Sequence, residues 1–162
     1  MVHDGLFVGP GADTYKFAGS ILHCARDPWF VEACKSFVMP ISYTFPSCHN
    51  TVVQPCYNEM ALNMVDAQHP KYFSDEMINA GLDFITERLA EGDAVLVHCQ
   101  EGISRSPSLT MLWLFEHGFL SDDFKNACVE FKELYPPWKP NHGIFEYMRR
   151  RCTNQSTSAT SL

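Results

Sequence analysis

The chain has 162 residues, 12 of them Lys or Arg against 19 Asp or Glu, a formal charge of −7 with histidine neutral, which suits one compact domain. Apolar residues make up 46% and charged residues 19%, a globular balance that excludes a wholly disordered or fibrous chain. The acidic surplus repels a phosphate backbone or an anionic leaflet, and basic residues cluster only at Arg149, Arg150 and Arg151, so neither nucleic acid nor membrane is an expected partner.

Seven cysteines are an odd number, which excludes a complete disulfide framework within one monomer and points to a reducing, cytoplasmic compartment, with the nucleus open. There is no C-x-x-C, and the adjacent His and Cys at 23/24, 48/49 and 98/99 alternate faces on a strand, so no metal and no cofactor are expected. Met1 to Asp13 lacks a basic-then-apolar signal pattern, and the stretch from Leu109 to Phe115 is far too short to span a bilayer.

In chain order, short apolar runs bounded by Gly, Pro, Asp or Asn mark strands at Leu6 to Val8, Ile21 to Cys24, Phe37 to Met39 and Val52 to Val53 with its flanks. From Ser74 to about Ala90, Met77, Ile78, Gly81, Phe84, Ile85, Arg88 and Leu89 recur at helical spacing, with Ser74 as N-cap. Ala94 to His98 is the next strand. A helix from Ser106 or Pro107 to Gly118 has almost no polar face and should be central and buried. Another runs from Ser121 to Tyr135 and stops at Pro136 and Pro137. The last covers Asn141 or His142 to Arg151. The Ser/Thr-rich segment Thr153 to Leu162 reads as a disordered tail after a domain spanning residues 1–152. This order implies an α/β domain with a central, mostly parallel sheet flanked by helices.

Between the strand ending at His98 and the helix near Pro107 lies His98-Cys99-Gln100-Glu101-Gly102-Ile103-Ser104-Arg105-Ser106. A cysteine at the carboxyl end of a buried strand, followed six residues later by arginine, describes an anion site that carries its own nucleophile. Ligands bind at strand carboxyl ends of open α/β sheets, and a helix N-terminus offers free N–H groups. Curling the loop would aim the amides of Gln100, Glu101, Gly102, Ile103 and Ser104 at one tetrahedral oxyanion, with Gly102 making the turn. The same donors favour a Cys99 thiolate at neutral pH. Arg105 can grip two phosphate oxygens with its planar fork, which lysine cannot. Ser106 can donate a hydrogen bond to the departing sulfur or simply cap the helix, and His98 reads as a core residue that orients the loop.

His98-Cys99-x-x-Gly102-x-Ser104-Arg105-Ser106 resembles the signature of the cysteine-based protein tyrosine phosphatases, and with Pro107 it is most similar to the dual-specificity branch. Leu6-Phe7-Val8-Gly9 resembles that family's first strand, Tyr72-Phe73 through Phe84-Ile85 its helix before the active-site strand, and Pro140-Asn141 a pair near its last helix. The resemblance spans about residues 5 to 151. It implies the cysteine-phosphatase fold and a metal-independent phosphatase that works through a phosphocysteine. Its partners would be a phosphoprotein substrate and phosphate or vanadate as active-site ligands; the oligomeric state stays open.

Expelling an alkoxide from phosphorus needs a proton donor. Asp93 begins the strand whose far end carries Cys99, about 15 Å away, Asp83 and Glu87 lie mid-helix, and the charge of Glu101 opposes phosphate. Asp66 follows the apolar stretch Met60 to Val65 and opens a polar segment at the sheet's carboxyl end; it matches the family's general acid, and His69 is a weaker candidate. Asn141 fastens the active-site loop in the family, with helix capping the equal alternative; Trp138 and His142 read equally as cleft rim or as packing or surface residues. Phosphoinositide- and RNA-directed members of the resembled family often carry extra basic or specialised residues in this loop, so the resemblance implies that a loop without lysine disfavours those substrates. A non-protein phosphatase and a binding module without turnover remain alternatives. A sulfurtransferase is a distant fourth, and the absence of G-x-x-x-x-G-K-[ST] excludes a P-loop nucleotidase.

Overall fold

The computed structural model describes residues 1–30 and 52–158. The expected strand Phe37 to Met39, with Cys34 and Cys48, lies outside the described residues. The remaining expected strands are present as β1 (Leu6–Pro10), β2 (Ser20–His23), β3 (Val52–Cys56) and, after β4 (Glu59–Leu62), β5 (Val95–Cys99). They form one sheet in the order β1-β5-β2-β4-β3. The β1/β5, β2/β5 and β2/β4 pairs are parallel and β3/β4 is antiparallel, so the sheet is mostly parallel, as expected.

This order puts β5 in the interior between β1 and β2. All five of its residues are buried, the pattern of a parallel strand covered on both faces. The segment Met60 to Val65 contributes β4, which had not been singled out as a strand. Its last three residues are buried in succession, and so short an apolar run carries no period to distinguish strand from helix.

Four α-helices follow: α1 (Asp75–Ala90), α2 (Arg105–Glu116), α3 (Phe124–Leu134) and α4 (His142–Ser158). Ser74 caps α1 by accepting from the Met77 amide at 3.2 Å, and the α1 stripe buries Met77, Ile78, Leu82, Phe84 and Ile85. Arg88 is buried on the same face because Glu91 pairs with its guanidinium at 2.7 Å and the Tyr57 ring stacks 3.8 Å from it. Helix α2 is buried from Arg105 to Leu114 and forms the centre of the core, as its lack of a polar face requires.

Three helices have limits that differ from the sequence expectation. Helix α2 begins at Arg105 and ends at Glu116, with Gly118 at φ +73° just beyond, so the left-handed glycine lies outside the helix. Helix α3 begins at Phe124 rather than Ser121, because Asp123 caps it by accepting from the Asn126 amide at 2.9 Å. Helix α4 continues past Arg151 to Ser158, so residues 153–158 of the expected tail are helical. No Gly or Pro interrupts them, and the Thr153 hydroxyl donates back to the Arg149 carbonyl at 2.8 Å. No described helix is long and apolar enough to cross a membrane.

Candidate active site

The connection from β5 to α2 is held by its carbonyls. The Gln100 carbonyl accepts from the Gly11 amide at 3.1 Å and the Ile103 carbonyl from the Lys139 amide at 2.7 Å. The Gly102 carbonyl accepts from the Tyr135 hydroxyl at 2.9 Å; burial, then the neighbouring Cys99, raises that phenol's pKa. None of the amides of Gln100 to Ser104 donates to a described backbone carbonyl. Carbonyls tied to the scaffold and amides left over are the makings of an anion nest. Gly102 sits at φ +70°, and a Cβ there would lie 2.5 Å from the Gly9 carbonyl carbon, so both conformation and space require glycine.

Cys99 is 2% exposed, and the Ser106 hydroxyl donates to its sulfur at 3.2 Å. Arg105, 7% exposed, donates from Nη1 to the Met64 carbonyl at 3.2 Å and from Nη2 to Gln100 Oε1 at 3.4 Å. Its Nε has no partner. Both acceptors are neutral, and among the described residues no carboxylate makes an ion pair with this buried cation. Burying a charge without an opposite one costs several kcal/mol, on the order of a lost ion-pair partner; an anionic ligand would remove that cost.

Arg105 and Asp66 line one cleft of about 230 Å³ together with Arg26, Asp27, Met64, Val65 and Gln100. Asp66 and Arg105 thus face the same cleft. Asp93 does not: it accepts from the Ser20 hydroxyl at the opposite strand ends. His69 Nδ1 accepts from the Lys71 amide at 3.1 Å and caps the short turn Pro70–Tyr72.

Ser104, read from sequence as a loop position facing the ligand, has its hydroxyl engaged elsewhere. It donates to Asp66 Oδ1 at 2.9 Å and accepts from the Asn141 amide at 3.0 Å. The Asn141 side chain reaches the acid-bearing segment rather than the cysteine loop, donating from Nδ2 to the Asp66 carbonyl at 3.1 Å. Its Oδ1 accepts from the His142 amide at 2.8 Å, so it also serves the start of α4. Gln100 is committed to Arg105, and Glu101 is exposed. Trp138 is packing, not rim: it is buried and its indole N–H donates to the Ser108 hydroxyl at 3.0 Å. His142 Nδ1 stands 3.0 Å from the Gln68 carbonyl, against the acid-bearing segment.

Two supporting residues had gone unnoticed. A Cβ at Gly143 would come 2.2 Å from the Ala67 carbonyl, so glycine on the first turn of α4 lets the Asp66 segment lie against that helix. His23, at the end of β2, pairs with His98: Nδ1 of the first is 2.6 Å from Nε2 of the second. The signal was available, since both histidines close strands that a mostly parallel sheet can set side by side. The neighbouring Cys24 thiol is fully buried, and burial followed by the Cys99 sulfur pushes its pKa up; it is a core thiol.

Residues 34–146 match the family model for the dual specificity phosphatase catalytic domain. Over 67 residues the chain is 36% identical to protein phosphatase Slingshot homolog 3 of Mus musculus, covering 41% of this chain and about a tenth of that relative's length. Among solved structures, the human tyrosine phosphatase-like serine/threonine/tyrosine-interacting protein superposes with a TM-score of 0.65 at 21% identity, covering 93% of each chain. Human DUSP28 gives 0.65 at 17% identity over 97% of each. A mouse putative dual specificity phosphatase complexed with zinc tungstate gives 0.64 at 20%, over 98% of this chain and 89% of the other. These likenesses establish the fold, and the model that matches more than half of the sequence establishes the lineage: the chain belongs to the dual-specificity phosphatase domain family, within the cysteine-based protein tyrosine phosphatase superfamily.

Proposed function

We propose that this domain hydrolyses phosphotyrosine and phosphoserine or phosphothreonine monoesters of proteins through a phosphocysteine intermediate. The observation that carries the reading is Arg105: a buried guanidinium with, among the described residues, no partner for its Nε and no carboxylate in ion-pair contact, beside a cysteine whose sulfur already accepts a hydrogen bond. A phosphate dianion supplies the missing charge, two of its oxygens meeting the planar fork and the third the loop amides. Phosphate and vanadate bind there for the same reason.

In the first step the Cys99 sulfur attacks phosphorus, the S–P bond forms and the P–O bond to the substrate breaks. The Asp66 carboxyl gives its proton to the leaving oxygen. In the second step water attacks phosphorus, the Asp66 carboxylate takes its proton, and the S–P bond breaks. The Ser106 hydroxyl, at 3.2 Å from the sulfur, stabilises the negative charge that returns to it. Ser104 and Asn141 hold Asp66 through both steps, one at its carboxylate and one at its carbonyl.

The test is turnover of an aryl phosphate, a phosphotyrosine peptide and a phosphothreonine peptide with chelator present throughout. Hydrolysis of all three supports the reading; binding of vanadate without turnover makes the domain a phosphate-binding module instead. Asp66→Asn should slow alkyl phosphoesters by about 10²–10⁴, the usual worth of a positioned acid, and slow good aryl leaving groups far less in bond cleavage. Equal slowing of bond cleavage in both classes would place the acid elsewhere. Gly143→Ala displaces the Asp66 segment and should lower alkyl phosphoester turnover on the order of tenfold to a hundredfold, as sub-ångström to ångström misplacement does, with aryl turnover less affected. An unchanged ratio between the two substrates would remove Gly143 from the account.

A further inference from the structure

The phosphatase reading leaves unexplained the buried imidazole pair behind the cysteine. The parallel register sets His23 opposite His98; they are 8% and 0% exposed. His98 Nδ1 stands 3.3 Å from the Cys99 carbonyl and His98 Nε2 stands 2.6 Å from His23 Nδ1. Trp29 covers both rings, 4.6 Å from His98 at 76° and 6.1 Å from His23 at 19°. Gly11 makes room for it, since a Cβ there would lie 2.4 Å from the indole.

The hydrogen positions follow from the acceptors. A carbonyl can only accept, so the 3.3 Å contact is a hydrogen bond only with the hydrogen on His98 Nδ1, and in a neutral ring of that tautomer Nε2 is a lone pair. With that tautomer of His98 the hydrogen in the 2.6 Å contact belongs to His23, whose Nε2 faces Glu59 Oε2 at 4.0 Å, beyond hydrogen-bond distance. Both rings are neutral: burial, reinforced by His98, lowers the pKa of His23 to about 3, and burial lowers that of His98 to about 4 against the Cys99 carbonyl and Asp13. Pro10, the registered neighbour of Cys99 on β1, has no N–H to offer. The peptide joining Cys99 to Gln100 is planar and trans, so holding its oxygen toward His98 turns the Gln100 N–H the opposite way.

We propose that His23 is a positioning residue for this site: by donating to His98 Nε2 it fixes the tautomer of His98 that holds the Cys99 carbonyl, and with it the first amide of the anion-binding loop. The proposal rests on the phosphatase reading for its kinetic consequence but not for its geometry.

The experiment compares full-length wild type, His23→Phe and His23→Asn. Phenylalanine keeps the ring and its contact with Trp29 but donates nothing; asparagine loses the ring but its amide can donate. With melting temperatures checked, His23→Phe should lose on the order of tenfold to a hundredfold in kcat on an aryl phosphate, the effect of a small misplacement, and bind vanadate more weakly. His23→Asn should retain most of both. A pure packing role gives the reverse order, and wild-type values for His23→Phe, or equal loss in both variants, overturn the proposal. Nitrogen-15 spectra of the wild-type imidazoles should show a bare Nε2 and a protonated Nδ1 at His98; a protonated Nε2 overturns it even if neither variant folds. If wild type hydrolyses no phosphoester, the phosphatase reading fails, and the vanadate affinities and the spectra still decide the role of His23.

Discussion

Cys99→Ser should abolish turnover of every phosphoester, by about 10⁴- to 10⁶-fold, the scale on which removal of a covalent nucleophile acts. Serine keeps the shape of the side chain, but its hydroxyl is a weak nucleophile without an adjacent base, and among the described residues the polar side chain that reaches the Cys99 sulfur is Ser106, a donor. The mutant should still bind vanadate, because the cation and the loop amides that meet the oxyanion are untouched. Loss of turnover with retained binding separates the nucleophile from the cradle. Residual activity near wild type would mean that phosphorus is attacked by something else, most simply by water directly, and the two-step scheme would fall.

Arg105→Lys is the second large effect and tests the cradle. The arginine does two jobs at once, with Nη1 and Nη2 tied to the Met64 carbonyl and Gln100 and with Nε unpartnered. An ammonium presents its donors from a single point, so it cannot tie the strand end after β4 to the loop and still meet two phosphate oxygens. Turnover should fall by about 10²–10³, the usual cost of removing one preorganised transition-state donor, and vanadate affinity should fall with it. The conserved charge is the informative part of the substitution: if lysine supports wild-type kcat and vanadate binding, the site needs only a positive charge and the planar fork has no role.

The parts of this molecule that were legible in the sequence are those written in consecutive residues. The loop from Cys99 to Ser106 is a local motif, in which Gly102 makes a left-handed turn and Ser106 donates to the Cys99 sulfur. The stripe of α1 and the wholly apolar α2 are likewise local, because helical period and capping are set within a few residues. Asp66 is reached from its place after the apolar stretch Met60 to Val65 together with the family resemblance, and the structure brings it into the cleft of Arg105 through a loop fastened at Ser104 and Asn141.

What escaped the reading is long-range. Sheet order β1-β5-β2-β4-β3 makes neighbours of strands far apart in the chain, so His23 meets His98 across 75 positions and Asn141 meets Asp66 across the same interval. Nothing local in the sequence marks Gly143, and it is the fold that brings the Ala67 carbonyl against it. The end of α4 was misplaced for a different reason: Ser and Thr are weak helix formers but not breakers, and a helix already docked on the core through Ile144 and Met148 carries such residues along.

The central claim is a covalent bond between phosphorus and the Cys99 sulfur, and rapid acid quench of the protein during turnover of an aryl phosphate, followed by peptide mass analysis, tests it most directly. Asp66→Asn is the enzyme to use, because an aryl leaving group departs without much help while the hydrolytic step lacks its base. The account predicts that the peptide containing Cys99 gains the mass of one phosphoryl group, that this species builds up in Asp66→Asn, and that Cys99→Ser never shows it. Steady turnover with no phosphorylated peptide, or with the phosphoryl group on another residue, would contradict it.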